Sequence, residues 1–244
     1  MHNCLVGSEM CIRDSYQQVR ELNRHIVAST PKTILAKDAK LERLASGYET
    51  VEGPLYDGKG QLLFTDIPNQ HIWKLNLKTL DTTLFRDETG GANGLAFDLR
   101  GRLLMCKQQE KSLARLEEDG TETVLLKPMR IGGNKKIYPV GVNDVVVDRK
   151  GRIYVTVPGA GSIYLLDSDG GNPRQVISDL KGPNGLMLSP CETTLYVSEY
   201  KEQKLHAYDV DPKTGNPSDQ RLFTQVKIPS DYGCDGMTVD HLGN

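Results

Sequence analysis

Apolar and polar residues alternate with a period of two in several short stretches of this chain. Val145 and Val147 lie on one face of such a stretch, and Ile153 and Val155 lie on one face of the stretch after the next turn. Alternation of this kind is typical of half-buried β-strands, and the intervening segments DLRG, DRKG and SPCE contain residues that tight turns favour. The pattern therefore predicts pairs of antiparallel strands.

The strand pairs repeat along the chain. Each copy starts with a polar residue and reaches a glycine eight residues later, except that Glu192 holds this place in the fourth copy. The copies start 41, 50, 41 and 51 residues apart, at Glu52, Asn93, Asn143, Asn184 and Asp235. Two further strands follow in most copies, and four short strands per repeat form the blade of a β-propeller. The sequence predicts an all-β fold with four complete blades (52–92, 93–142, 143–183 and 184–234) and the first strand of a fifth.

The strand that opens each repeat is expected to be the innermost one, because it is short and apolar on both faces. The five polar starting residues, here called the polar ring, then lie together at one mouth of the central channel. Asn-Gly and Asp-Gly pairs also form ordinary turns, so capping is the better interpretation of any single copy. Five copies with the same offset, however, favour a functional site over capping, in particular because one of them starts with Glu52, and Glu does not favour turns.

The polar ring offers an all-oxygen donor set. Glu52 and Asp235 supply carboxylates and the Asn residues supply amide oxygens, which suits hard cations such as Ca²⁺, Mg²⁺ and Mn²⁺. Zn²⁺ is an alternative, although His71, His206 and His241 fall in later strands or turns and are expected to be surface residues. A cation with a spare carboxylate is sufficient for hydrolysis, because the cation activates a carbonyl and a water while the carboxylate takes the proton.

The amino-acid composition excludes some classes of protein but does not indicate a function. A chain of 244 residues with 38% hydrophobic residues and a net charge of −2 indicates a soluble globular protein with no nucleic-acid partner. No apolar run approaches the ~20 residues of a membrane helix. The five scattered cysteines are expected to be free thiols, which favours a reducing compartment such as the cytoplasm. A periplasmic or secreted location stays open, because we expect the native N-terminus to be missing.

The chain divides into three predicted parts. Residues 1–15 share nothing with the repeats and lack the order of a signal peptide, so we interpret them as a non-native leader. Residues 16–40 are a weakly helical lead-in. Residues 41–244 form the propeller domain, which we expect to be truncated at the C-terminus because VDHLGN ends where earlier repeats enter their second strand.

Four stretches follow one another along the chain: EGPLYDGKGQLLFTDIPNQHIWKL, VNDVVVDRKGRIYVT, GPNGLMLSPCETTLYVSE and CDGMTVDHLGN. In this order they resemble the senescence marker protein, gluconolactonase and luciferin-regenerating enzyme family of six-bladed propellers. The resemblance runs from about residue 41 to the end and implies an incomplete six-bladed ring. It also implies a lactonase that opens a sugar lactone, such as gluconolactone, to the aldonic acid.

The resemblance further implies the site residues. It places one divalent cation, with Ca²⁺ as first candidate, on Glu52 of the EGP motif, Asn184 of the PNG motif and Asp235 of the DG motif. Asn143 of the ND motif is implied as a further ligand or a substrate contact, and Asp235 as the general base. Asn93 joins Asn143 as a candidate substrate contact, because a ring this wide cannot bring all its members to one ion.

Some positions differ from the family pattern. Gly141 stands where some relatives carry an Arg that contacts sugar hydroxyls, and Val157 stands where bacterial relatives often have Asp. Asp66 keeps an Asp at the related place of its repeat and is expected to support the site or cap a turn. Two alternatives stay open: a non-enzymatic propeller that binds a ligand or protein with a structural cation, and a related propeller enzyme that acts on another ester.

Overall fold

The computed structural model describes residues 38, 40, 42–127, 129–131, 138–226, 233–240 and 242–243. Within them the chain forms four antiparallel four-stranded sheets and one two-stranded hairpin. The strands of every four-stranded sheet lie in chain order, so each sheet is a simple meander. Two short 3-10 helices, Pro158–Ala160 and Tyr200–Glu202, complete the described secondary structure.

Each predicted repeat corresponds to one sheet, or blade. The first blade contains β1 (Val51–Tyr56), β2 (Gln61–Asp66), β3 (His71–Asn76) and β4 (Thr82–Arg86). The second contains β5 (Ala92–Phe97), β6 (Leu103–Lys107), β7 (Ser112–Leu116) and β8 (Glu122–Leu126). After the hairpin β9 (Met129–Ile131) and β10 (Tyr138–Val140), the third contains β11 (Val145–Val147), β12 (Ile153–Val157), β13 (Ser162–Leu166) and β14 (Arg174–Ile177). The fourth contains β15 (Pro183–Leu188), β16 (Thr194–Glu199), β17 (Lys204–Val210) and β18 (Pro217–Gln225).

The first strands of neighbouring blades lie side by side. β1 contacts β5, β5 contacts β11, and β11 contacts β15. Meander sheets whose first strands lie around a common channel form a β-propeller. The predicted all-β propeller fold is therefore confirmed, whereas the six-bladed ring and its truncation stay predictions.

The turn between the first and second strand has the same backbone conformation in every repeat. The position eight residues after each polar ring residue has a φ of 99°, 76°, 81°, 56° and 86°, at Gly60, Gly101, Gly151, Glu192 and Gly243. This left-handed region favours glycine because a Cβ atom is disfavoured there. A side-chain oxygen three residues before that position accepts a backbone N–H in each case, at Asp57, Asp98, Asp148, Ser189 and Asp240. The turn thus explains the fixed offset in the sequence.

The hydrophobic core of the described residues consists of three clusters, each between two neighbouring blades. On β6, Met105 packs toward the first blade and Leu104 toward the third. On β12, Val155 packs toward the second blade and Tyr154 toward the fourth. The second strands of the second and third blades are apolar on both faces, because each of these blades packs against a neighbouring blade on either side.

The unequal spacing of the repeats has a structural cause. The second repeat is longer because the hairpin of β9 and β10 is inserted between β8 and β11. The fourth repeat is longer because β17 and β18 contain 7 and 9 residues, whereas β13 and β14 contain 5 and 4.

Three expectations are wrong. Residues 233–240 contain no strand, because no described segment pairs with them in a ladder. His206 is not a surface residue: it is 9% exposed, and its Nε2 lies 2.9 Å from a carboxylate oxygen of Glu199, which makes its burial tolerable. Cys191 is disulfide-bonded, although all five cysteines were expected to be free; Cys106 and Cys234 are free, as expected, and both are buried.

Other expectations lie outside the described part of the chain. These are the leader 1–15, almost all of the lead-in 16–40, and His241. Among the described residues, no helix has the length and apolar character needed to cross a membrane.

Replacing Asp98 by Asn should destabilise the fold. One oxygen of the Asp98 carboxylate accepts N–H groups of Arg100 and Arg102 at 2.9 Å, and the other pairs with the Arg102 guanidinium at 2.7 Å. The Asn side chain can still form the turn but loses the charge-assisted hydrogen bonds. We therefore expect the free energy of unfolding, measured in urea, to fall by about 1.5–3 kcal/mol. Asp119→Asn is the control, because Asp119 forms the same kind of turn on the surface, and it should cost less.

The stabilisation by Asp98 should also depend on pH. Burial opposes its ionisation, but the hydrogen bonds from Arg102 and Arg100 and the Arg102 charge outweigh this and lower the pKa of Asp98. A depressed folded pKa contributes stability above the unfolded pKa of about 3.9 and loses it as pH falls through the folded value. The difference in stability between the unsubstituted protein and the Asp98→Asn variant should therefore shrink below about pH 4. An unchanged difference at about pH 3, below the unfolded pKa, would contradict this assignment.

Candidate functional site

An open cavity of about 970 Å³ lies between the first strands of the four blades. All five members of the polar ring line it: Glu52, Asn93, Asn143, Asn184 and Asp235. Asn93 is buried, Asp235 is exposed, and the other three are half-buried. The residues that the sequence predicted to converge therefore lie around one cavity, although they are separated by up to 183 positions in the chain.

An irregularity in strand pairing follows the polar ring residues in three blades. The register shifts between Glu52 and Leu55 in β1, between Ala92 and Leu95 in β5, and between Pro183 and Leu186 in β15. Shifts of this kind are typical of bulges, which free a residue from the ladder and redirect its side chain. In β5 and β15 the shift spans Asn93 and Asn184, whereas Glu52 in β1 is still paired with Thr65.

A glycine follows the polar ring residue where the next blade comes close. A Cβ atom on Gly53, whose φ is 52°, would overlap the Asn93 carbonyl oxygen. A Cβ atom on Gly94 would lie 2.5 Å from Asp144 Oδ1, and one on Gly185 would lie 2.6 Å from the Asp235 carbonyl oxygen. These separations are far below van der Waals contact, so the blades can meet at the mouth only because the side chains are absent.

In the third blade Asp144 replaces this glycine, and its role was not predicted. One oxygen of its carboxylate accepts the N–H of Val145 at 2.9 Å, and the other accepts the N–H of Leu186 in the fourth blade at 3.2 Å. The bridge to Leu186 ties the third blade to the fourth at the level of the polar ring. A signal was available in the sequence, because Asn143 is the one polar ring residue followed by an acidic residue instead of glycine.

The charged side chains in the described lining of the cavity are all acidic. They are Glu52, Asp144 and Asp235, and that lining contains no Lys, Arg or His. Burial and the charge of Asp235 raise the pKa of Glu52. Burial, followed by the charges of Glu52 and Asp235, raises the pKa of Asp144 to about 6 despite its two backbone hydrogen bonds. The three carboxylates therefore repel one another in a partly desolvated space.

The donor chemistry of this cavity fits a hard divalent cation. The described residues contain no group of three His, Cys, Asp or Glu side chains arranged to hold a metal. The set predicted from the sequence contains only two carboxylates, Glu52 and Asp235, and takes its other oxygens from amides. Two carboxylates that destabilise each other's charge, next to neutral amide oxygens, form an environment in which a bound cation lowers the electrostatic energy.

The remaining candidate residues lie outside the lining. Asp66, at the end of β2, accepts the N–H groups of Glu49 and Thr50 and the Asn69 amide, so it fixes the loop before Glu52 rather than reaching the cavity. Burial raises its pKa, but these hydrogen bonds outweigh burial and lower it. Val157, at the position where bacterial relatives often have Asp, is buried in the hydrophobic core.

The fold and the site define a β-propeller with an acidic, amide-rich mouth. A protein-family model described as "SMP-30/Gluconolactonase/LRE-like region" matches residues 50–244, which include all four blades and the complete polar ring. The chain therefore belongs to the SMP-30/gluconolactonase/LRE-like family, and the resemblance seen in the motifs is confirmed.

Individual relatives are distant. A gluconolactonase of Zymomonas mobilis is 24% identical over 245 aligned residues, which cover 86% of this chain and 67% of that protein. The chain spans about half the length of the staphylococcal lactonases it also matches, 51% in Staphylococcus saprophyticus.

Solved structures agree with the fold. A gluconolactonase from Xanthomonas campestris superimposes with a TM-score of 0.68 at 26% identity, covering 82% of this chain and 70% of that one. A calcium-binding regucalcin from Agrobacterium tumefaciens superimposes with a TM-score of 0.64 at 21% identity, covering 82% and 68%.

Replacing Gly94 by Ala should destabilise the joint between the second and third blades. The new methyl group would meet the backbone and carboxylate of Asp144 and the carbonyl oxygen of Asn143, which lies at 2.8 Å. Overpacking of this kind costs about 1–3 kcal/mol, measured as the free energy of urea unfolding.

Gly236→Ala is the matched control for that substitution. Gly236 also follows a polar ring residue, but a Cβ atom there would meet nothing within 4 Å. Equal unfolding midpoints for the two variants would show that the close approach at Gly94 does not constrain the fold.

Proposed function

We propose that this protein hydrolyses a lactone, in the first place a sugar lactone, to the open-chain hydroxy acid, using one divalent cation at the polar ring. The observation that carries the proposal is the convergence of Glu52, Asn143, Asn184 and Asp235 on one cavity whose described charged lining is entirely acidic. The lactonase-family relatives of the chain support the same reaction class.

The polar ring supplies the ligands for the cation. Glu52 and Asp235 would bind through carboxylate oxygens, and Asn143 and Asn184 through amide oxygens, a set that Ca²⁺ favours and that Mg²⁺, Mn²⁺ or a catalytic Zn²⁺ could also use. The calcium-binding regucalcin with the same fold supports Ca²⁺ as the first candidate. When bound, such a cation polarises a carbonyl group and lowers the pKa of a coordinated water molecule.

The protein groups themselves account for the proton transfers. Asp235 is exposed at the mouth, where its carboxylate can accept a proton from the attacking water. The water oxygen bonds to the lactone carbonyl carbon, the ring C–O bond breaks, and the departing ring oxygen receives a proton from Asp235. The product is a carboxylic acid with a free hydroxyl group, and the acid then releases its proton to the solvent as it ionises to the carboxylate.

Substrate binding is assigned to the amides and the channel wall. Asn143 and Asn93 present amide groups to the cavity and can hydrogen bond to lactone hydroxyl groups. Leu95, Val145 and Leu186 line the channel beyond the ring and limit the water that reaches the reacting carbonyl.

Hydrolysis should depend on the cation. The purified protein is treated with chelator and assayed against a panel of sugar lactones by acid release, before and after addition of Ca²⁺, Mg²⁺, Mn²⁺ or Zn²⁺. We expect activity to vanish with chelator and to return with one of these metals. Tight cation binding in calorimetry without hydrolysis of any lactone would support the alternative of a ligand-binding propeller with a structural cation.

Asp235→Asn should remove hydrolysis while leaving the fold intact. Loss of a general base lowers kcat by about 10²–10⁴-fold, and loss of one carboxylate ligand weakens cation binding in addition. Glu118→Gln, an equally conservative change at an exposed residue outside the cavity, is the control and should leave kcat unchanged. Full turnover in the Asp235→Asn protein would show that another group takes the proton.

A further inference from the structure

The hydroxyl group of Ser198 lies between two members of the polar ring. Ser198 is fully buried near the end of β16. Its Oγ accepts the N–H of Gly185 at 2.8 Å and donates to the carbonyl oxygen of Asp235 at 2.9 Å; the Gly185 carbonyl oxygen is farther away, at 3.3 Å. One buried hydroxyl therefore connects the residue after Asn184 to Asp235 itself.

Both partners of Ser198 lie where no strand ladder holds the backbone. The N–H of Gly185 falls inside the register shift between Pro183 and Leu186, so the ladder of β15 and β16 leaves it free. Residues 233–240 take part in no described ladder. The Ser198 hydroxyl thus supplies a fixed attachment at the point where Asp235 approaches the fourth blade.

The equivalent position carries a hydroxyl group in two other blades. In the first blade, Thr65 donates its hydroxyl to the carbonyl oxygen of Asn93 at 3.2 Å, so it also holds the polar ring residue of the next blade. In the third blade, Thr156 accepts the N–H of Asp144 at 2.9 Å. In the second blade the position is Cys106, and Gly94 instead donates directly to the carbonyl oxygen of Asn143 at 2.9 Å. Thr65 thus repeats the bond of Ser198 to the next blade and Thr156 repeats its bond within the blade, whereas Ser198 makes both.

We propose that Ser198 is a positioning residue for the cation site, which sets the spacing of Asn184 and Asp235 by bonding to the backbone of Gly185, the residue after Asn184, and to the backbone of Asp235. This inference rests on the proposed function, because it concerns the same two ligands. Hydrogen-bonding partners behind metal ligands typically contribute about 10- to 100-fold in metal affinity or activity. Ser198 touches neither substrate nor cation, so its effect must pass through these two residues.

The test compares four variants with the unsubstituted full chain. Ser198→Ala removes the hydroxyl, and Ser198→Thr restores it with the residue type found at positions 65 and 156. Ser198→Cys keeps a side chain that the fold accepts at position 106 but is a weak hydrogen-bond donor. Ser162→Ala is the matched control, because Ser162 is also fully buried and its hydroxyl makes two hydrogen bonds, to Ala160 and Gln175, away from the cavity.

Calorimetric titration of each metal-free protein with Ca²⁺ alone gives the main readout, and urea unfolding and kcat and KM follow. We expect Ser198→Ala and Ser198→Cys to bind Ca²⁺ about 10- to 100-fold more weakly, and Ser198→Thr to recover most of the affinity. Ser162→Ala should lower the urea midpoint as Ser198→Ala does without changing Ca²⁺ affinity. If the Ser198 variants hydrolyse lactones more slowly, we expect a lower kcat at subsaturating Ca²⁺, and excess Ca²⁺ should restore it.

The possible contrary results are distinguishable. If the unsubstituted protein binds Ca²⁺ and opens a lactone, and the Ala and Cys variants bind Ca²⁺ equally well, Ser198 is only structural and this inference is overturned. If Ser162→Ala weakens Ca²⁺ binding as much as Ser198→Ala, the effect is general destabilisation, which also overturns it. If the unsubstituted protein binds no divalent cation, the proposed function falls and the inference falls with it.

Discussion

Neighbouring blades meet at the mouth of the channel with almost no space between their backbones, and the rest of the structure depends on this contact. Gly53 faces the Asn93 carbonyl, Gly94 donates to the Asn143 carbonyl, and Gly185 faces the Asp235 carbonyl. Because a side chain cannot fit there, the contact fixes how far each blade stands from the next. The apolar clusters between the blades can then pack at normal density, and the polar ring residues are carried on the strands that make the contact.

This constraint also concentrates charge. Glu52 and Asp235 line the same cavity closely enough for their charges to interact, and Asp144 adds a third carboxylate from the third blade. Burial and mutual repulsion raise the pKa of Glu52 and of Asp144. This repulsion between carboxylates is the physical basis of the cation site proposed above, because a bound cation would relieve it.

Much of the fold was predictable because the turn after each inner strand needs a left-handed residue and an acceptor side chain at fixed offsets. Those needs appear directly in the sequence, and the offset of Gly60, Gly101 and Gly151 follows from them. The convergence of the polar ring was predictable for the same reason, since a common turn phase implies a common end of the channel. The same turn conformation is kept even at Glu192, which is not a glycine.

What could not be predicted depends on contacts between strands and blades, which leave little trace in one sequence. The burial of His206 requires Glu199 on the neighbouring strand, and only the geometry shows that the Asp144 carboxylate reaches Leu186 across the blade boundary. The Ser198 hydroxyl gives no signal for the same reason, because periodicity does not distinguish a small buried polar residue in an apolar strand from its neighbours.

Acidic residues have opposite roles at the two ends of the inner strands. At the turn end, Asp98 and Asp148 are each paired with an arginine four residues later, so their charges are neutralised and stabilise the turn. At the mouth, the described lining offers Glu52, Asp144 and Asp235 no cationic side chain at all. With a net charge of only −2 over 244 residues, the negative potential of the mouth cannot come from an excess of acidic residues in the whole chain. It comes from where the basic residues are placed, because the described lining of the mouth contains acidic side chains without a basic partner, and a local field of this kind favours positive charge.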